Sequence, residues 1–397
     1  MLKTQVGIVG AGPSGLILAR MLARQGIESV ILESQSRAHC EQRARAGVLE
    51  HDVAKLLEDI GVGERMSREG LVHRGIFLRF GGRDHRIDMA ELTGGRTITV
   101  YGQHEVIKDV IAAAIVDGQA LHFDVGDISV SEIESDAPTI RYRHDGELRV
   151  LQCDVIAGCD GFHGICRPSI PEAAIRSFTR NYPFAWLGIL SASAPASAEL
   201  VYARHERGFA LQSMRSPEVT RLYIQVPPDD TIESWSDDEI WSELNTRLAV
   251  DGDWSLNRGP ILQRAITPTR SFVADPMQFG RLFLVGDAAH IVPPTGAKGM
   301  NLAIADVRVL AAALGAFYTK GDMRPLDTYS ATCLRRVWNV QRFSAWMTQL
   351  LHRTGDDPFA AQVQRAELEY VTSSRAASTA LAENYVGLPF DALGAVS

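Results

Sequence analysis

The feature that most constrains this chain lies near its start. An apolar run over residues 5–9 stops at Gly10-Ala11-Gly12-Pro13-Ser14-Gly15 and passes directly into a mostly apolar segment. A short apolar run bounded by glycine reads as a buried parallel strand. Residues 14–25 carry Leu16, Leu18, Ala19, Met21, Leu22 and Ala23, a helical pattern with Gly26 as its stop. Val30-Ile31-Leu32 is the second strand and ends at Glu33. Strand, glycine turn, helix, strand and terminal acid within about 30 residues make a βαβ unit of the dinucleotide-binding kind. Glycines there let backbone N–H groups approach a pyrophosphate at a helix N-terminus, and Glu33 can accept ribose hydroxyls. The glycines alone also fit a turn that binds nothing. The flanking strand, helix and acid are what point to an adenine dinucleotide.

Composition narrows the partners. The 397 residues, 46% hydrophobic and 22% charged, suffice for two domains or one large domain with an insertion. A net charge of −8 argues against nucleic acid, and it leaves any anionic substrate to be drawn in by local arginines. The five cysteines are scattered without ligand spacing, so reduced thiols and no metal site are expected. No apolar run approaches the ~20 residues of a membrane span, and the first residues enter the strand–glycine pattern, not a signal peptide. A cytoplasmic protein with no membrane partner is the expectation.

Further along, residues 53–60 read as a helix closed by Gly61. Between about 74 and 100, short alternating segments with Gly81-Gly82 and Gly94-Gly95 turns suggest a small β excursion. Residues 106–116 return to helix, 128–150 alternate around an Asp145-Gly146 hairpin signal, and 154–157 form a buried strand running into Gly158. Residues 176–268 change character, with aromatics, alternation and Pro/Gly punctuation. They read as an antiparallel sheet with one helix near 237–248. Residues 281–285 restore the buried strand, and helical patterns follow at 299–319, 326–352 and 358–371. The fold class is α/β: a nucleotide domain, an inserted β-sheet domain and a helical C-terminal part.

Two later segments refine the ligand. Cys159-Asp160-Gly161 follows a buried strand and leads to Arg167. Gly286-Asp287-Ala288-Ala289-His290 follows another and runs through Pro293-Pro294-Thr295-Gly296 to a helix start near Lys298. An Asp at a strand end can accept a ribitol or ribose hydroxyl, and a Gly-rich helix start can hold phosphate or a flavin edge. Either Asp-Gly pair alone fits a plain turn. Three strand-end elements in this order are far more specific.

In these motifs, and over essentially the whole chain, the sequence resembles the single-component flavoprotein aromatic hydroxylases. The resemblance extends through Arg43-Ala44-Arg45-Ala46-Gly47-Val48-Leu49-Glu50, Val100-Tyr101-Gly102-Gln103, Ile156 to Gly164 and Gly286 to Asn301. Glu383-Asn384-Tyr385-Val386-Gly387-Leu388-Pro389 and the set Tyr202, Ser213, Arg215, Arg221 and Tyr223 are similar to the branch that acts on 4-hydroxybenzoate.

The resemblance implies a Rossmann-like FAD-binding domain at 1–175, with the β excursion at about 74–100. It implies an antiparallel β-sheet substrate domain at 176–268, and a return to the FAD domain with a helical C-terminal region at 269–397. It implies tightly bound FAD, NADPH or NADH as transient reductant, and O2. The reaction would convert 4-hydroxybenzoate to 3,4-dihydroxybenzoate through a flavin hydroperoxide, in a homodimer serving aromatic-compound degradation. Gly10, Gly12, Gly15, Glu33, Arg45, Gln103, Asp160, Arg221, Asp287, Lys298, Gly299, Met300 and Asn301 would contact FAD. Arg43, His163 and Arg270 would meet the nicotinamide cofactor. Ser213, Arg215 and Tyr223 would bind the substrate carboxylate, with Pro294 and Thr295 framing the ring. Tyr202 would hydrogen-bond the 4-hydroxyl, and Tyr385 would pass its proton toward His73. Ser34 and His39 stand where the family often has an arginine and a tyrosine that help hold the NADPH ribose phosphate, so appreciable use of NADH is expected.

The residues agree chemically. A buried aromatic carboxylate needs a guanidinium, best held as a fork. Ser213 and Arg215 are two apart on a strand, as are Arg221 and Tyr223, so each pair shares a face. Deprotonating a phenol enriches its ring for electrophilic hydroxylation, and hydroxyls both donate and accept, so two tyrosines and a histidine can relay the proton. A hydroxylase for 3-hydroxybenzoate, salicylate or another phenol, a flavin-fold protein that binds a lipid without redox work, and a simple flavin oxidase are the competing readings.

Overall fold

The computed structural model describes residues 2–43, 47–252 and 254–390. Its centre is a six-stranded sheet in the order Gln278–Phe279, Leu282–Leu284, Val155–Gly158, Val6–Val9, Ser29–Leu32, Ala120–His122. The pairs from Leu282–Leu284 through Ala120–His122 are parallel. Their apolar runs are buried because helices cover the sheet. Pro13–Ala23 is the first of these helices, and Gly26 beyond it takes φ +72°. The edge strand Ala120–His122 is too short to announce itself in the sequence.

A second, eight-stranded sheet stands beside it. Arg176–Ser191, Ile261–Asp275, Val219–Val226, Gly208–Ser216 and Val201–His205 pair antiparallel, as their alternation predicts. The expected small excursion near 74–100 does not stand apart. Its strands Ile76–Phe80 and Arg83–Ile87 continue this sheet, and Ile76–Phe80 pairs in parallel with Val201–His205. The sheet therefore draws on more chain than 176–268 and is not purely antiparallel. One of its faces buries Leu187, Ile189, Ala210, Leu222 and Ile224 under the helix Asp237–Arg247. That helix begins with a Ser236/Glu239 capping box. The other face meets the C-terminal helices Tyr329–Leu351, Pro358–Ser373 and Arg375–Val386. The last of these was not foreseen from sequence, and it carries Tyr385.

Asp145 and Gly146, both at positive φ, make the hairpin turn between Thr139–His144 and Glu147–Gln152. Gly299–Lys320 corrects one expectation. At 22 residues it is long and apolar enough to cross a membrane by length and composition, yet 61% of its apolar window is buried inside the protein. The five cysteines are free and buried.

Candidate active site

Three separate strand ends meet at the glycine turn. Gly10 adopts φ +105°, and a Cβ there would fall 2.5 Å from the Cys159 carbonyl oxygen. A Cβ on Gly286, itself at φ +63°, would fall 2.7 Å from Ser14 Oγ. Gly15 has no room for a side chain because it lies on the Gly10 carbonyl. Gly12 and Gly161 differ, since a Cβ on either would meet nothing within 4 Å. The Glu33 carboxylate accepts from the Ala11 amide at 2.7 Å and the Gln35 amide at 2.8 Å, which ties the second strand end to the turn.

Asp160 accepts from the Cys166 amide at 2.8 Å through one oxygen, while its other oxygen is buried without a partner among the described residues. Burial pushes its carboxyl above the usual range. Asp287 follows Gly286 on the turn. Gly286 N–H donates to Asp306 at 3.1 Å, and the same Asp306 oxygen lies 2.6 Å from His290 Nε2. His290 is fully buried, yet its pKa rises: burial lowers it, and Asp306 more than offsets that.

Lys298 precedes the helix Gly299–Lys320 and is buried against Glu50 at 2.6 Å and the Tyr385 carbonyl at 2.9 Å. Burial lowers its pKa despite the ion pair. Asn301 spends its amide on the protein itself, donating to Val48 and Ala297 carbonyls and accepting from Glu50 N–H. It shapes the loop instead of presenting its side chain to a ligand. Gln103 opens the helix Gln103–Val116, and Gly299 and Met300 open the helix after Lys298, half-buried. Thr295, fully buried in the Pro294–Gly296 turn, lies 3.0 Å from the Thr348 hydroxyl; Pro294 is exposed.

On the large sheet the register gathers the remaining candidates on one face. Leu211 pairs with both Tyr202 and Tyr223, and Ser213 with Arg221. Gly188 lies opposite Tyr223, and a Cβ there would come within 2.8 Å of the Arg221 guanidinium. This glycine makes room for the cluster, and no local signal in the sequence marks it. Arg215 Nη1 lies 3.3 Å from Ser213 Oγ and 2.8 Å from the Met214 carbonyl. Among the described residues no carboxylate pairs with Arg215 or Arg221. Burial and the neighbouring Arg221 lower the pKa of Arg215. Burial would raise that of Tyr223, but the facing Arg221 and Arg215 bring it below the usual value. Two neighbouring guanidiniums with no carboxylate partner among the described residues can together accept an anion.

Tyr202 and Tyr385, both fully buried, place their hydroxyls 2.5 Å apart. Burial holds both well above the normal phenol range. His73, on Leu71–His73, is 2% exposed, and no hydrogen bond joins it to either tyrosine. Its ring nitrogens have no partner among the described residues, and burial pushes its pKa down to about 4.

The predicted nicotinamide contacts are partly gathered. Arg270 lies 4.5 Å from the Phe162 ring and the exposed His163 packs edge-on to that ring at 5.0 Å. Arg43 is exposed at the end of the helix Arg37–Gln42, as are Ser34 and His39. Arg45 lies outside the described residues.

A family described as FAD binding domain matches residues 3–344. The chain is 47% identical to a p-hydroxybenzoate hydroxylase from Acinetobacter baylyi, over 98% of this chain and 96% of that protein. It is 26% identical to a 3-(3-hydroxy-phenyl)propionate/3-hydroxycinnamic acid hydroxylase from Mycobacterium avium, covering 82% of this chain and 57% of that one. Among solved structures, a p-nitrophenol 4-monooxygenase from Pseudomonas putida superposes with TM-score 0.82 at 18% identity, over 98% of this chain and 100% of that one.

Proposed function

This chain belongs to the FAD-binding family that includes the Acinetobacter baylyi p-hydroxybenzoate hydroxylase, and from that premise we propose how its residues convert 4-hydroxybenzoate to 3,4-dihydroxybenzoate with O2 and NAD(P)H. The observation that carries the reading is one sheet face that bears two guanidiniums with no carboxylate partner among the described residues, together with Tyr202, whose hydroxyl meets that of Tyr385 on the helix packed against that face. One end of 4-hydroxybenzoate is an anion and the other a phenol.

Residues 1–175 and 269–397 hold the flavin in this reading, and 176–268 hold most of the substrate site, with Tyr385 joining it from the helix Arg375–Val386. The residues present fit FAD. The open space over Gly12 and Gly161 admits phosphate and ribityl groups, and the unpartnered Asp160 oxygen awaits a hydroxyl. Gly10, Gly12, Gly15, Glu33, Asp160 and Asp287 would hold the dinucleotide, and Lys298, Gly299, Met300 and the backbone of Asn301 would line its flavin end. When bound, FAD supplies two-electron reduction by the nicotinamide and activation of O2.

The protein's own part is orientation and proton transfer. Arg215, with Ser213 and Tyr223, takes the carboxylate, and Arg221 adds a second positive charge. This fixes the far end of the ring at Tyr202. A neutral phenol has a pKa near 10, so the ring needs help to become the electron-rich phenolate. Tyr202 accepts the substrate proton as its own passes to Tyr385. Because burial disfavours either phenolate, the pair passes a proton without storing charge. The outlet beyond Tyr385 is not hydrogen-bonded to His73, so His73 serves only through an intervening group. The same reading makes the enzyme a cytoplasmic homodimer.

The test is product analysis with the flavin-loaded protein, a panel of hydroxybenzoates, and NADH and NADPH in turn. 4-Hydroxybenzoate is expected to give one 3,4-dihydroxybenzoate per reductant consumed. Coupled turnover of 3-hydroxybenzoate or salicylate, with none of the 4-isomer, would overturn the assignment.

A further inference from the structure

A buried imidazole stands behind the carboxylate clamp, and no step above uses it. His352 follows the helix Tyr329–Leu351 and is 1% exposed. Its Nδ1 lies 3.0 Å from the Thr348 carbonyl, which can only accept, so Nδ1 carries the hydrogen. Its Nε2 lies 2.7 Å from the Trp186 indole nitrogen, which can only donate, so Nε2 presents the lone pair. One tautomer satisfies both contacts, and the ring is neutral. Burial pushes its pKa down to about 3, consistent with that state. Phe184 and Phe209 stack against it, with centroids at 4.4 and 4.3 Å.

Trp186 links this ring to the site. Its indole lies 4.9 Å from the Tyr223 ring, on the sheet face that carries the clamp. The helix end reaches the other side of the site as well. The Thr348 hydroxyl donates to the Ser344 carbonyl at 2.7 Å and lies 3.0 Å from the Thr295 hydroxyl in the Pro294–Gly296 turn. A phenylalanine at 352 would fill the aromatic stack equally well. What it would not do is accept the indole hydrogen, and a buried N–H without an acceptor pulls away toward one.

We propose that His352 is a positioning residue for the substrate carboxylate: it anchors the Trp186 indole so that the ring holds Tyr223 beside Arg215 and Arg221. The inference rests on the reading of the clamp given under Proposed function. It makes His352 a determinant of selectivity for a carboxylate-bearing ring, acting through Trp186 and not by contact with substrate.

The measurement is ligand binding to FAD-loaded enzyme, followed by the change in flavin absorbance. The two ligands are 4-hydroxybenzoate and its neutral analogue 4-hydroxybenzamide. In His352→Phe the Kd for 4-hydroxybenzoate should rise roughly tenfold while that for the amide changes little. His352→Gln, whose amide can both accept from Trp186 and donate to Thr348, should restore most of the selectivity. Trp186→Phe breaks the same contact from the other side and should lose the same selectivity, so it serves if His352→Phe does not fold. A role in packing alone would weaken both ligands alike. An unchanged ratio of the two Kd values in whichever variant folds, or no recovery with Gln, overturns the inference. Wild-type enzyme that binds neither ligand would overturn the reading of the clamp itself.

Discussion

The end of the site proposed for the flavin and the end proposed for the substrate are built from different material. At the flavin end the chain offers backbone: the Gly10–Gly15 turn, the strand ends at Asp160 and Gly286, and amides tied down by Glu33 and Asp306. At the substrate end it offers side chains that project from neighbouring strands and from a distant helix. A backbone cradle fails when a side chain is added, because atoms collide. A side-chain clamp fails when one is removed, because charge or a hydrogen bond is lost. The two ends should therefore break under opposite kinds of substitution.

The largest effect is expected at the flavin end. Gly15→Val places a branched side chain on the Gly10 carbonyl, so the first helix cannot dock behind the turn. Purified variant should carry little or no FAD, read from flavin absorbance per protein. Full flavin content would mean that the turn yields more than its close contacts imply.

At the substrate end, Arg215→Ala should cost 4-hydroxybenzoate about 2–5 kcal/mol of binding and leave FAD content unchanged. A titration that finds the affinity intact would move the anion site elsewhere and remove the contrast between the ends.

His73 belongs to neither end, and pH exposes it. Its folded pKa is lowered from 6.5 to about 4, so the unfolded chain binds a proton that the folded chain refuses between those values. Stability is unaffected above about pH 6.5 and falls as pH drops toward 4, by about 3 kcal/mol for this group. His73→Gln should lose that much less stability over the same window in denaturant unfolding. An identical pH profile would show that the ring is not held neutral.

The smallest effect on binding belongs to Tyr202→Phe, which removes one hydroxyl and about 1 kcal/mol of hydrogen bonding. Its consequence lies in coupling instead. FAD and substrate should still bind, but much of the NAD(P)H consumed should appear as hydrogen peroxide. Undiminished 3,4-dihydroxybenzoate per NAD(P)H would eliminate the tyrosine relay.

The same contrast separates what the sequence by itself determined from what only the tertiary structure decided. Glycine at positive φ, a helix following a strand, an acid at a strand end and the Asp145-Gly146 turn are all local, set by a few adjacent residues. The glycine turn and strand-end acids proposed for the flavin were legible as local structure for that reason, as were the buried strands and most helices. Register is not local. Tyr202 and Tyr385 meet across 183 positions, and Trp186 meets His352 across 166. Nothing in the neighbourhood of residues 76–87 says that they will extend the large sheet, because an edge is chosen by the pairing partners available after the chain has folded. Gly188 reads as an unremarkable strand glycine until Arg221 is seen to occupy the space it leaves. His73 shows the same limit from the other direction. The sequence can supply a titratable ring, but its charge depends on burial, and burial is a property of the whole packed molecule.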